Sequence, residues 1–459
     1  MEHDLLPLGG LRPEPKASEE SAEIPRRLKS AEIPRRAVLV GIKIKGGSSA
    51  WTLQDSLDEL GQLASTAGLQ VVGTTWQRLS HPDPATWIGS GKVQELRELL
   101  AAEEATFAIF DDELSPGQTR KIGAALGDGV RIIDRTRLIL DIFSQHAHSR
   151  EGQLQVELAQ YQYLLPRLTG LRAGLSQQVG GAGAGPVGLR GPGETQLELD
   201  RRQVRRRISV LRGELETVRT HRRQQRRQRE RTGVPIAAIV GYTNAGKSSL
   251  LNALTGAGVL VEDKLFATLD PTTRRLRLPG GREILLTDTV GFIRKLPHDL
   301  VASFRATLEG VEEASLIVHV VDGSHPHAVE QVMAVDGVLA GLSLTLTPRL
   351  VVWNKMDLLP DRALPHLPGT GQIPTLGISA KTGENLDTLL GEMETMLGGS
   401  LVERTVLIPY DRFELVGLAY SRGSVLSRED TAEGIRLRVS VPTELGEKLA
   451  PYRETYNGD

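Results

Sequence analysis

The sequence predicts a multidomain α/β protein, with two blocks of alternating strands and helices flanking a helical hairpin and a small α+β module at the end. Three observations carry this. The chain has 459 residues, more than the roughly 100–200 that one core organises. Short aliphatic runs alternate with helical periodicity in two separate stretches, the pattern of parallel sheets built from βαβ units. Between those stretches lie a glycine-rich segment and a long arginine-rich helical segment without strand character. Composition excludes other classes. Apolar residues make up 39% of the chain, enough for globular cores, and a net charge of −2 points to no class of partner. Without cysteine there are no disulfides, thiolate metal sites or thiol catalysis. The start, MEHDLLPLGG, lacks the basic and apolar regions of a secretory signal. No apolar run reaches the roughly 18 residues of a membrane span, so a cytoplasmic location without a span is expected.

Taken in order, residues 1–36 are polar and carry SAEIPRR twice, at Ser21–Arg27 and Ser30–Arg36, and a disordered tail is expected. Residues 37–149 form the first α/β unit. Val38–Ile44 reads as a strand and Ser56–Gly68 as a helix ending in glycine; VVGTTW, KVQELRELLAAEEA and FAIF follow. SPGQTRKIGAALG predicts a helix with Ser115 as N-cap and Pro116 at its first position, and VRIID closes the series. Residues 150–232 predict a hairpin: one helix stopped near Pro166, a glycine-rich tip at Val179–Glu194, then a helix from Thr195 to Arg231. In the latter, Leu197, Val204, Ile208, Leu211, Leu215 and Val218 recur at helical spacing. Residues 233–400 form the second α/β unit, with VPIAAIV, EILLTD, SLIVHVVD, RLVVWN and PTLGIS as buried parallel strands. Residues 401–459 supply TVLIPY, helical RFELVGLAYSRG, SVLSRED and GIRLRVSV.

The chemistry is written in the second unit. Gly241, Tyr242, Thr243, Asn244, Ala245, Gly246, Lys247 and Ser248 match G-x-x-x-x-G-K-[ST] in full, after an apolar run and before a helix that opens with Ser249. Such a loop lets backbone amides approach phosphates, places Lys247 between the β- and γ-phosphates and makes Ser248 a magnesium ligand. Asp288, Thr289, Val290 and Gly291 leave the EILLT run. The aspartate can hold magnesium through water, and the Gly291 amide can reach the γ-phosphate. Asn354, Lys355, Met356 and Asp357 leave RLVVW. A carboxylate at Asp357 accepts from guanine N1 and N2, where adenine has no donor, which favours guanine by about 10⁴-fold or more. Ser379, Ala380 and Lys381 leave the next strand, and their backbone can donate to guanine O6. Four boxes in this order predict GTP and GDP binding. In Phe266, Ala267, Thr268, Leu269 and Asp270, the threonine lies about twenty residues after the lysine, the expected place of the switch hydroxyl on magnesium; Thr272 and Thr273 read as turn residues. Asn244, Lys247, Thr268 and Gly291 form the expected catalytic set. Phe292 stands where many GTPases carry a water-orienting glutamine, so slow intrinsic hydrolysis is expected.

With their flanks, these boxes resemble the HflX family of ribosome-associated GTPases from Ala37 onward. The specific pieces are Asp111–Ile122, Ile133–Gly170, Arg190–Arg202 and Leu265–Arg275. The resemblance implies an N-terminal α/β domain, a helical hairpin, a GTPase domain and a small C-terminal domain. It implies binding to the 50S subunit, with splitting or rescue of stalled or idle 70S ribosomes, and it places the magnesium threonine on Thr268. In GTPases resembling this one, an asparagine at the place of Asn244 helps hold K⁺. The insertion around Ala184–Leu189 and the first 36 residues depart from the family pattern. Arginine runs are ordinarily solvated faces; with the resemblance, Arg205, Arg206, Arg207, Arg222, Arg223, Arg226 and Arg227 are expected on rRNA. The resemblance also implies weak ATP binding in the first unit, although GSGK (Gly89–Lys92) lacks the P-loop spacing and suits a plain helix cap. The rival reading is an ATP-dependent RNA remodeller regulated by its GTPase domain, and a GTPase acting on tRNA is a third. For His146 and His148, structural or RNA-facing roles are expected over metal ligation.

Overall fold

The computed structural model describes residues 35–46, 51–168, 192–230, 234–256, 265–295, 311–342, 344, 346–359, 363–364, 367, 373–397 and 401–453. The repeated SAEIPRR tail and the glycine-rich stretch up to residue 191 lie outside them.

The first sheet is built from β1 (Arg36–Ile44), α1 (Leu53–Thr66), β2 (Gln70–Leu79), α2 (Ser90–Ala102), β3 (Phe107–Phe110), α3 (Pro116–Leu126) and β4 (Arg131–Asp134). Its four strands are parallel in the order β2-β1-β3-β4. Capping boxes fix two helix starts: Thr52 with Asp55 on α1, and Ser115 with Gln118 on α3, where Pro116 takes the first turn. Helix α4 (Arg135–His146) follows β4 directly, N-capped by Asp134. Periodicity does not mark this helix, because Leu138, Ile139, Leu140, Ile142 and Phe143 are all buried and no single apolar stripe remains.

The hairpin is α5 (Arg150–Leu164) against α6 (Pro192–Glu230), the latter starting three residues before the predicted Thr195. Leu154, Leu158 and Tyr161 pack on Ile208, Leu211 and Leu215. Arg150 pairs with Glu214 and Glu157 with Arg207. Partner numbers fall along α6 as they rise along α5, so the helices run antiparallel.

The second sheet comprises β5 (Ile236–Gly241), α7 (Lys247–Thr255), β6 (Thr272–Arg277), β7 (Glu283–Asp288), β8 (Leu316–Asp322), α8 (Ala328–Gly341), β9 (Arg349–Asn354), β10 (Thr375–Gly377) and α9 (Leu386–Met396). Strand order is β10-β9-β8-β5-β7-β6. Five strands are parallel, as expected, and β6 adds an antiparallel edge. Only Leu276 of β6 is buried, and its short link to β7 is too brief for a parallel crossover. The third sheet, β11 (Leu401–Ile408), β12 (Ser424–Asp430) and β13 (Ile435–Pro442), is antiparallel in the order β11-β13-β12. Helices α10 (Phe413–Arg422) and α11 (Thr443–Leu449) cover it through Val416, Ala419 and Leu445. No helix among the described residues is long and apolar enough to cross a membrane.

Candidate nucleotide site

Strands β5, β7 and β9 end at Gly241, Asp288 and Asn354. Their parallel register brings the loops that follow to one carboxyl edge, where open α/β sheets bind ligands. The P-loop turns through Asn244 (φ 59°) and Gly246 (φ 91°). A Cβ on Gly246 would stand 2.2 Å from Asn354 Nδ2, so only glycine admits that side chain. Asn354 Nδ2 then donates to the Ala245 carbonyl at 2.9 Å, and its Oδ1 accepts from the Ala380 amide at 2.9 Å. One buried carboxamide therefore ties the P-loop, the NKMD loop and the SAK loop together. Ser379 Oγ donates to Asp357 Oδ1 at 2.7 Å, aiming the carboxylate. Lys355, in a left-handed turn (φ 64°), pairs with Asp322 at 2.7 Å. Met356 is buried and Lys381 exposed.

At the phosphate end, Lys247 is buried and donates to the Tyr242 carbonyl at 2.8 Å. Burial pushes its pKa down to about 8, and the Asp288 carboxylate opposes that shift. Ser248 Oγ lies 2.6 Å from Asp288 Oδ2 and 2.8 Å from Thr268 Oγ1. Asp288 is fully buried, with Oδ1 lacking a hydrogen-bond partner; burial raises its pKa while Lys247 lowers it. Two hydroxyls and an unsatisfied carboxylate are hard oxygen donors, a set that fits magnesium. Thr243, Ser249, Phe266, Ala267 and Gly291 line the same cavity. Thr273 lies on β6 facing Thr287 at 3.0 Å, away from this cluster.

Several expected site residues turn elsewhere. The Asp270 carboxylate accepts from the His148 and Ser149 amides at 2.8 and 2.6 Å and from the Ser149 hydroxyl, sitting on the N-terminus of α5. A carboxylate there offsets the helix dipole rather than facing a phosphate. Leu269 and Val290 are packed inside, and Thr289 Oγ1 donates to the Ile239 carbonyl at 2.7 Å. His146 Nδ1 engages the Ile142 carbonyl. In GSGK, the Gly89 amide donates to Gln77 at 2.8 Å and Lys92 pairs with Glu95, so this turn is occupied as a cap. Of the arginines expected on RNA, Arg205 and Arg206 are exposed. Arg207 makes a bidentate pair with Glu157 at 2.8 and 2.9 Å, a tie within the hairpin. The side chains of Arg222, Arg223, Arg226 and Arg227 lie outside the described residues.

Sequence reasoning missed a buried charge cluster behind the P-loop. Tyr242 Oη donates to Glu59 at 2.5 Å and accepts from the Arg294 amide at 2.8 Å. Arg135 bridges Glu59 and Asp111, and Lys295 reaches Asp111 and Asp112 at 2.5 and 2.6 Å. The local signal was Asp134-Arg135 set between the apolar Ile132-Ile133 and Leu138–Leu140; its partners, distant in sequence, gave none.

The six-stranded sheet with its P-loop and strand-end loops defines a P-loop GTPase domain. Sequence comparison extends this over the chain. Residues 54–144 match the family model for the GTP-binding GTPase N-terminal region, 146–229 its middle region, 236–355 the 50S ribosome-binding GTPase, and 370–451 the HflX C-terminal domain. The GTPase HflX of Caldanaerobacter subterraneus subsp. tengcongensis is 46% identical over 414 residues, covering 90% of this chain and 92% of that one. The GTPase HflX of Escherichia coli is 40% identical over 395 residues, covering 84% and 90%. A GTP-binding protein from Sulfolobus solfataricus, solved with GDP, is 24% identical with a TM-score of 0.41, covering 79% and 98%. The chain belongs to the HflX family of GTPases, and it is an enzyme that hydrolyses GTP.

Proposed function

We propose that this GTPase acts in the cytoplasm, binding the large ribosomal subunit in its GTP state and releasing the small subunit from 70S ribosomes. The convergence of Asn354, Asp357, Ser379 and the P-loop on one sheet edge carries the nucleotide half of this reading. The match to a 50S ribosome-binding GTPase model and the exposed arginines of α6 support the ribosomal half. In this reading Asp357 accepts from the guanine edge, and the Lys355 stem covers the base. P-loop amides and Lys247 hold the phosphates, and the Gly291 amide meets the γ-phosphate. Ser248 and Thr268 would hold magnesium, with Asp288 behind; the ion would supply positive charge against the phosphates. Asn244 would hold K⁺ beside the same phosphates. Phe292 is buried and cannot orient water through its side chain, which fits slow turnover until ribosomal RNA or protein settles the Thr268 loop.

One experiment separates the two halves. Asp357→Asn offers a donor to the xanthine 2-oxo group and loses the acceptor for guanine. Light scattering of 70S ribosomes is expected to fall with the wild-type chain and a non-hydrolysable GTP analogue. The Asn variant is expected to act only with the xanthosine analogue. Intact 70S particles with the wild type would overturn the ribosomal half. Undiminished use of the guanosine analogue by the variant would overturn the base assignment.

A further inference from the structure

We propose that the Thr243 hydroxyl is a catalytic group that donates a hydrogen bond to the γ-phosphoryl oxygens during hydrolysis. This rests on the nucleotide reading of the pocket given above. Thr243 is only 6% exposed, and its Oγ1 is buried without a hydrogen-bond partner. Leaving a buried hydroxyl unpaired is costly, and valine of the same shape would avoid it. The backbone does not need the hydroxyl either. The Thr243 amide donates to the Phe292 carbonyl at 2.8 Å, and the Phe292 amide to the Gly241 carbonyl at 3.0 Å. These two bonds seat Thr243 against the DTVG loop.

Thr243 borders the cavity that Lys247, Thr268 and Gly291 also line. A Cβ built on Gly291 would lie 2.9 Å from Lys247 Nζ, 2.9 Å from Thr243 Cα and 2.9 Å from its Cγ2. Only glycine at 291 lets Lys247 and Thr243 come this close to the DTVG loop, and the Thr243 methyl, not the hydroxyl, is the group turned toward it. A step of χ1 to another staggered well would exchange the methyl and the hydroxyl and bring Oγ1 to the Lys247 and Gly291 side without moving the loop. In the reaction, water adds to the γ-phosphorus and the bond to the bridging oxygen breaks, its electron pair leaving with GDP. The water proton ends on inorganic phosphate, and the threonine neither gains nor loses one. Its part is to donate to the γ-oxygens beside Lys247, electrostatic help that Phe292 cannot give.

The test uses the full chain with Thr243→Val and Thr243→Ser, measuring single-turnover GTP hydrolysis, GDP affinity and the melting temperature without nucleotide. Val should slow hydrolysis roughly ten- to hundredfold, the loss of one hydrogen bond to a charged group, and hold GDP affinity within about twofold. Ser should keep the rate near wild type. Without nucleotide the Val variant should melt at the same temperature or higher, because an unpaired hydroxyl is gone. A wild-type rate in the Val variant, or a GDP affinity that falls as far as the rate, would overturn the proposal. Lys247→Ala serves as the separate control: undiminished GDP affinity there would overturn the pocket assignment itself.

Discussion

His319 lies on β8, 1% exposed, with Nδ1 lacking a hydrogen-bond partner and Asp336 4.0 Å away. Burial, aided by the Arg349 and Lys247 charges, drives its pKa from 6.5 to about 3. The unfolded chain therefore binds a proton that the fold refuses. Stability from this residue is full above pH 6.5 and is lost as pH falls toward 3, by up to about 1.4 kcal/mol per unit. His319→Leu should unfold with a shallower pH dependence between pH 4 and 6.5, read by urea midpoints; parallel slopes for the two proteins would refute the assignment. At this scale the motif residues were legible because each box is a short string whose spacing is its chemistry. Asp270 was not. Its neighbours in FATLD pointed to the nucleotide, and only the fold brings the N-terminus of α5 to its carboxylate. Nor was Glu59, which meets Tyr242 across 183 residues of chain.

Elements were more legible than single contacts. The Ser115-Pro116 start of α3 and the apolar stripe of α6 from Val204 to Val218 were written locally and formed as spaced, while the Leu197 side chain lies outside the described residues. Strand β6 was not visible, because an edge strand with one buried residue carries no alternation. Helix α6 also frames a prediction about partners. If its arginines meet phosphates, the logarithm of the 50S binding constant should fall with the logarithm of salt concentration by about 0.7–0.9 per contact. Arg207 is held by Glu157, so Arg207→Gln should loosen the hairpin and leave the salt slope nearly unchanged. Replacing Arg222, Arg223, Arg226 and Arg227 with glutamine should flatten it. Equal slopes for the fourfold variant and the wild type in sedimentation assays would return these residues to a solvated face.

At the scale of the molecule, the first and second sheets have separate apolar cores, and a charge cluster lies between α1, α4 and the P-loop strand. Arg135 is its centre: 2% of its side chain is exposed, against 9% for Glu59 and 1% for Asp111. Burial lowers the guanidinium pKa to about 10, which leaves it charged at neutral pH, and burial likewise raises the Asp111 carboxyl. Tyr242 and Ser56 complete the hydrogen bonds of the two carboxylates. Attraction in a buried network barely exceeds the desolvation it costs, but removing one partner strands the others. Arg135→Met should therefore destabilise the chain by roughly 3–5 kcal/mol in urea denaturation. Adding Glu59→Gln and Asp111→Asn should recover most of that loss, since no uncompensated carboxylate remains. Lys295→Ala should cost much less, because its side chain is 35% exposed and solvent screens the pair. Amide exchange locates the effect. In Arg135→Met, β1 and β3 should lose protection before β5 and β8, because Arg135, Glu59 and Asp111 all sit in the first unit and Tyr242 belongs to the second. Uniform loss across both sheets, or a change within about 1 kcal/mol of wild type, would mean that the other contacts between them, such as the Asp55–His327 pair and Phe143 against Phe266, hold the units together without the cluster.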